Sequence, residues 1–359
     1  EASCGWGGQE IRILEESKGM IERGHEVRIL CPAESRIYSE AARCKVPVEA
    51  LPIGRKNLAG VLAMRRWLQC HEVDILNTHS STDSWLGAIA CATLHKSPPI
   101  VRTRHISAPI PDNWPTRWLY TKATRHIVTT GEALRQELIE RNGYPAKMIT
   151  SVPTGIDPVR FAPGEKHKTR QMLGLDTDYC YLGIVATLRS WKGHLYLIEA
   201  FAAQRPTDWK LVIVGDGPMR DEIKRRIDEC GVTSRTILVG HRDNPEDWLR
   251  ALDIFCLPSY ANEGVAQALI QAMMCELPVV TTDVGAIPEL VDNGLNGLVV
   301  KSRSTEALGR ALGDLMADAD RRITLGRAAR QKAMTNYSFT TMLSRMEALF
   351  EKTLSHRRT

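Results

Sequence analysis

Strand-length apolar runs alternate with helix-length segments along nearly the whole chain, and this rhythm limits the fold more than any other feature. Residues 25–31 (HEVRILC), 73–79 (VDILNTH), 99–105 (PIVRTRH) and 126–130 (HIVTT) are short and apolar or β-branched, and a helical period follows each. After the turn- and Lys-rich stretch 152–175 the pattern restarts at 181–188, 209–217, 235–241, 253–259, 277–283 and 296–300. Strands separated by helices pair in parallel, because a parallel crossover needs a connection of that length. The chain is therefore expected to be α/β, with two Rossmann-like, doubly wound parallel-sheet domains. With 359 residues, 43% of them hydrophobic, it can fill two cores.

The expected boundaries are 1–158, 159–335 and a final segment, 336–359. That segment carries Met342, Met346 and Leu349 at helical spacing with no strand after it, and is expected to return to the first domain. The opening motif GWGGQE, Gly5 to Glu10, reads as a loop feeding a helix, so a first strand is expected upstream. Open parallel sheets bind ligands at the carboxyl ends of their strands, and two such domains are expected to face a cleft.

Composition narrows the function classes. No run approaches the ~20 apolar residues of a membrane span, and no basic-then-apolar leader opens the chain. The nine cysteines form no C-x-x-C pair, which suits reduced cytosolic thiols rather than a disulfide framework or a zinc site. A cytoplasmic location follows as the expectation. Net charge is +5, but residues 51–130 hold 10 Lys and Arg against 4 Asp and Glu. Within them GRKNLAGVLAMRRWLQ and NWPTRWLYTKATRH mix basic and aromatic residues. Such stretches either rest on anionic lipid headgroups or form a solvated helix face. A pI near 8.7 and the lack of a reader module argue against nucleic acid.

Three turns at strand ends in the second half are rich in glycine: VGDGP from Val214, ANEG from Ala261 and DVGAIPE from Asp283. Glycine lets backbone N–H groups approach an anion at a helix N-terminus, although tight turns also need it for steric reasons. TLRSWKGH places Arg189 and Lys192 where they could neutralise a diphosphate. Glu263 heads an apolar run and Gln271 stands eight residues on, so the two are expected on one helical face, gripping parts of one ligand. A carboxylate there could equally serve only as a helix cap.

Together VPTGID…RF, TLRSWKG, VGDGP, LPSYANEG with Gln271 beyond its Glu, and TDVGAIPELVDNGLNGLVV resemble the retaining glycosyltransferases of family 4 in content and order. The resemblance covers nearly the whole chain and implies the GT-B fold. It implies that Glu263 contacts the donor sugar, that Gln271 holds the nucleotide ribose in place of the family's second Glu, and that Arg189 and Lys192 clamp the diphosphate. The family's usual Arg falls at Thr187, so Arg189 would reach from a shifted position. Gly7 and Gly8 match the family's Gly-Gly loop, and His79 in NTHS matches a His near the reacting carbon. Gly215, Gly217, His241, Gly264, Val265 and Ala266 complete the implied donor-binding set, and Arg104 and His105 are expected on the acceptor side. The family's hinge Asn is Thr154 here, a change expected to matter little.

The implied reaction is a front-face, retaining transfer of a hexosyl group without a metal or other cofactor, the D-x-D strings 176–178 and 318–320 reading as surface charge. The donor would be a nucleotide-diphosphate sugar, UDP before GDP, and the acceptor a glycolipid or polysaccharide precursor of the lipopolysaccharide or cell-envelope kind. The protein would sit peripherally on an anionic membrane, in an undetermined oligomeric state. Two rivals remain at this level: a nucleotide-sugar epimerase of GT-B fold, and a sugar-nucleotide-binding protein that has lost catalysis.

Overall fold

The structure, a computed structural model, describes residues 1–105, 110–204, 207–261 and 263–355. Asn262 of the ANEG turn and residues 356–359 of the expected C-terminal segment lie outside the described residues. The chain divides into two compact units, Glu1–Gly155 with Thr340–Thr359, and Ile156–Phe339.

The first unit contains β1 (Ile29–Cys31) paired in parallel with β2 (Val48–Ala50). A second parallel sheet runs in order through β3 (Leu76–Thr78), β4 (Ile100–Arg104), β5 (Thr124–Thr129) and β6 (Ile149–Ser151). Two helix starts on the path to the site are set by short polar side chains. Asn57 Oδ1 accepts from the Gly60 N–H at 2.8 Å at the head of the helix Leu58–Cys70. Ser80 and Asp83 form a reciprocal capping box on the helix Ser81–Ala92.

The second unit holds one six-stranded parallel sheet. Its strands are β7 (Cys180–Val185), β8 (Trp209–Val214), β9 (Thr236–Gly240), β10 (Ile254–Leu257), β11 (Val279–Thr282) and β12 (Leu298–Val300). Their spatial order is β12-β11-β10-β7-β8-β9, so the chain winds outward from β7 in one direction and then restarts beside it with β10. β10 and β11 are buried along their whole length and β7 and β8 over most of theirs, as Phe255, Val212 and Val280 illustrate at 0% exposure. That is why they read as continuous apolar runs rather than alternating ones.

The expected boundaries move by a few residues. The Ile156 N–H donates to Tyr337 O and Ile156 O accepts from the Phe339 N–H, both at 2.9 Å, so residues 156–158 and 336–339 belong to the second unit. The described part of the final segment, 336–355, is also not one helix. Ser338, with ψ 151°, breaks it into Ala319–Tyr337 and Phe339–Ser355. Met342, Met346 and Leu349 are all buried, and within the first unit the Gly155 N–H meets Met342 Sδ at 3.1 Å.

Candidate functional site

The order of the second sheet fixes where a ligand belongs. β7 and β10 are hydrogen-bonded neighbours whose chains leave in opposite directions across the sheet, the switch point at which an open α/β sheet leaves a crevice at its carboxyl edge. The loop after β7 carries Arg189 and Lys192, and the loop after β10 carries Ser259 and Glu263. These loops meet. Lys192 Nζ donates to Glu263 Oε1 at 2.6 Å, and Ser259 Oγ donates to the same oxygen at 2.5 Å. The Glu263 side chain is 4% exposed and that of Lys192 19%, so this ion pair is largely withdrawn from water yet open at its cationic end.

Glycines make the meeting possible. A Cβ at Gly193, whose φ is +76°, would lie 2.0 Å from Pro258 O, so only glycine lets the β7 loop lie on the β10 loop. A Cβ at Gly285, φ +59°, would lie 1.9 Å from Glu263 O, which instead accepts from the Ala286 N–H at 3.2 Å. The backbone of Glu263 is thus held by the DVGAIPE turn.

Gly215 and Gly217, expected in the donor-binding set, have steric roles of their own. Their missing side chains face Ala186 O and Leu188 O, at 1.9 and 2.7 Å. The Gly215 N–H donates to Gly240 O at 2.9 Å and the Gly217 N–H to Asp216 Oδ1 at 2.8 Å. Both glycines serve loop packing, and the Gly215 N–H is taken up by the sheet edge, while the Gly217 N–H meets only the exposed side chain of Asp216.

A second correction concerns Glu263 and Gln271. The helix begins at Gln267 after an extended Ala266, so Glu263 lies four residues ahead of it, neither caps it nor shares a face with Gln271, and reaches the site from a turn. Gln271 is partly exposed in the second turn of that helix. Among the described residues none accepts from the N–H groups of Gly264, Val265 or Ala266, and a Cβ at Gly264 would meet nothing within 4 Å. This leaves three backbone donors at a helix entrance directly after Glu263, the partner of Lys192. Arg189 is exposed, with its guanidinium 5.8 Å from the Trp191 ring centre. His241, just past β9, is also exposed, its Nε2 3.2 Å from Asp243 Oδ1.

The first unit gathers its own group at the carboxyl ends of β3 and β4. His79 follows β3 and is fixed by the capping box one residue on, its N–H 3.4 Å from Asp83 Oδ2. Its Nδ1 lies 3.0 Å from His105 Nε2, just past β4, with ring centres 5.3 Å apart. One ring must therefore donate and the other accept, which favours two neutral imidazoles. Burial pushes the His79 pKa well below its usual value, with the His105 and Arg12 charges adding to the shift. Burial, then Arg12, pushes His105 to about 3. Arg104 is 9% exposed, and its Nη1 donates to the Tyr120 hydroxyl at 3.0 Å. Gly7 and Gly8 sit at the N-terminus of the helix Gly8–Glu22.

Two family models match the chain, Glycosyltransferase Family 4 over residues 6–160 and Glycosyl transferases group 1 over residues 165–332. A D-inositol 3-phosphate glycosyltransferase of Mycolicibacterium gilvum is 30% identical over 92% of this chain and 81% of its own length. The chain belongs to glycosyltransferase family 4. The lipopolysaccharide core mannosyltransferase LpsB of Rhizobium meliloti is 34% identical, but over 48% of this chain and only about half, 52%, of that relative. Among solved structures, Anabaena HepE in complex with UDP superposes with a TM-score of 0.86 at 22% identity over 98% of both chains. The fold of this glycosyltransferase is GT-B.

Sequence reasoning missed three residues that hold the Lys192–Glu263 pair in place. Ser259 is the second hydrogen-bond donor to Glu263, and Gly193 and Gly285 permit the approaches on either side of it. Each glycine stood within a quoted motif, but its contact lies far off along the chain. Arg12 was missed as well: it is 2% exposed, and its Nη1 donates to Val152 O at 2.8 Å and lies 3.3 Å from Thr154 Oγ1. The hinge threonine therefore has a partner. The D-x-D strings act locally, Asp318 capping the helix Ala319–Tyr337 and Asp176 Oδ1 accepting from the Asp178 N–H.

Proposed function

We propose that this glycosyltransferase moves a hexosyl group from a nucleotide-diphosphate sugar, UDP before GDP, to a glycolipid or polysaccharide-precursor acceptor, with retention at the anomeric carbon. The observation that carries the reading is the Lys192–Glu263 pair at the switch point beside the uncommitted N–H groups of residues 264–266. Lys192 has three N–H donors and spends one on Glu263, so two remain for a diphosphate. Backbone N–H groups at a helix entrance would share that charge and hold it as the leaving group separates. Glu263, anchored by Ser259 and Lys192, has a second carboxylate oxygen for a sugar hydroxyl. Gln271 can still bond a ribose through its amide oxygen and NH₂. His79 and His105, both neutral, would orient hydroxyls rather than carry charge. Arg189, Lys192 and the backbone donors supply charge stabilisation without a metal.

The names of the relatives support the donor and acceptor classes: UDP is bound in HepE, and the LpsB relative acts in lipopolysaccharide core synthesis. No described helix is long and apolar enough to cross a membrane, and a peripheral, cytoplasmic-face location suits the basic segment 51–130. The test is a thermal-shift panel of UDP- and GDP-sugars, then proton NMR of the product's anomeric linkage. A product with inverted configuration would refute the retaining assignment, and an epimerised nucleotide sugar formed without acceptor would move the chain to another class.

A further inference from the structure

At the opposite edge of the first unit's sheet lies a groove that the transfer reaction leaves unexplained. It is open to solvent and has a volume of about 840 Å³, within the few-hundred to thousand Å³ range of small-molecule sites. Its floor is the start of β4 at Ile100, the start of β5 at Thr124 and His126, and Met148 just before β6. These are amino ends of strands, whereas His79 and His105 follow carboxyl ends, so the groove is distinct from the site already described.

Its lining is chemically one-sided. Lys122, Arg125, Lys147 and Lys352 border it, and no Asp or Glu is among the described residues that line it. Lys122 and Lys147 are exposed and form no ion pair with a described residue. The C-terminal end of the helix Ser81–Ala92, which reaches the groove through Cys91 and Ala92, offers only about half a negative charge to offset them. Ala88, Cys91, Pro98 and Trp118 give the lining an apolar part, and Trp118 stacks on Trp85 with ring centres 6.2 Å apart. His126, which lines the floor, is hydrogen-bonded to Thr150 Oγ1 at 2.9 Å.

We infer that this groove is a second binding site, taking a phosphate-bearing ligand with an apolar portion. The phosphate would lie between Lys122 and Lys147, and the apolar part against Pro98 and Trp118. Both a soluble phosphorylated metabolite and an anionic phospholipid headgroup have that chemistry.

The experiment uses the full chain in a Lys192→Ala background, which weakens anion binding at the switch point. Inorganic pyrophosphate is titrated by calorimetry, and vesicles of phosphatidylglycerol in phosphatidylcholine are tested by flotation. Lys122→Glu with Lys147→Glu should weaken the binding by at least about tenfold, because two nearby charges are reversed. Ala92→Trp, which fills the groove without changing charge, should do the same. Arg65→Glu with Arg66→Glu, an equal charge change elsewhere on the unit, should leave pyrophosphate binding unchanged. Loss of pyrophosphate binding in both groove variants identifies a soluble phosphate ligand, and loss of vesicle binding alone identifies a lipid headgroup. Equal binding by wild-type groove and both groove variants, or an equal loss on reversing Arg65 and Arg66, overturns the inference.

Discussion

Replacing Lys192 by Met tests whether the switch-point pair is a working unit. In the folded chain Glu263 Oε1 takes one hydrogen bond from Ser259 and one from Lys192, and its side chain is 4% exposed. Removing the ammonium leaves a buried carboxylate with one neutral donor. Stripping one partner from a buried ion pair costs about 3–5 kcal/mol. Lys192 is 19% exposed, so water can enter as the ammonium leaves, and the lower end, about 3 kcal/mol, applies. For a domain the size of Ile156–Phe339 that lowers the melting temperature by roughly 6–12 °C. Adding Glu263→Gln removes the stranded charge while keeping an acceptor for Ser259, and should recover about 2 kcal/mol. Scanning calorimetry of the wild type, both single variants and the double variant gives the coupling directly. Donor affinity, read by nucleotide-sugar titration, should fall in Lys192→Met and stay low in the double variant. If the double variant is no more stable than Lys192→Met, the two side chains do not act as a pair and the site has been built wrongly.

Three further outcomes follow from the same geometry. Gly285→Ala should destabilise by about 2–4 kcal/mol, since it adds a backbone clash at 1.9 Å to a left-handed φ. Gly24→Ala, also left-handed but with nothing within 4 Å, should cost only about 1–2 kcal/mol, and equal losses in chemical denaturation would show that the clash with Glu263 O is absent. Gln271→Glu should keep transferase activity within about tenfold, because either side chain accepts from ribose hydroxyls; abolished turnover in a steady-state assay would reject the ribose role. Burial holds His105 near 3 and His126 and His194 near 4, whereas the unfolded chain protonates these rings near 6.5. The unfolded state therefore binds more protons below pH 6.5. The stability due to these groups is complete above that pH and falls by up to about 1.4 kcal/mol per pH unit for each ring as pH drops toward 4. A melting temperature that stays flat from pH 7 to pH 4.5 would contradict the burial of these rings.

Most secondary elements were legible in the sequence because each depends on neighbours along the chain, but the three-residue strands β2 and β6 were not read. Every apolar run read as a strand became one, from HEVRILC at β1 to NGLVV at β12, trimmed at the ends where the chain turns. The helix entry after GWGG was legible for the same reason, as were the buried faces of Met342, Met346 and Leu349. The reading failed where a local pattern was asked to settle geometry. The eight-residue spacing of Glu263 and Gln271 suggested one helical face, but the backbone stays extended through Ala266, and the carboxylate turns toward Lys192 instead. The need for glycine at 215 and 217 was legible only as a turn, whereas its cause, the approach to Ala186 O and Leu188 O, is tertiary.

By itself the sequence determined the class of fold, the family and the set of loops that would carry the chemistry, because strand and helix periods and motif order are properties of short segments. Only the tertiary structure decided which of those residues act together. Lys192 and Glu263 are 71 positions apart, and the contact between them exists because β7 and β10 lie side by side at the centre of the sheet. The glycines at 193 and 285 then clear the backbone collisions that such an approach would otherwise meet. Strand order and close backbone approach are set by how the whole apolar core packs, and no window of sequence contains that information.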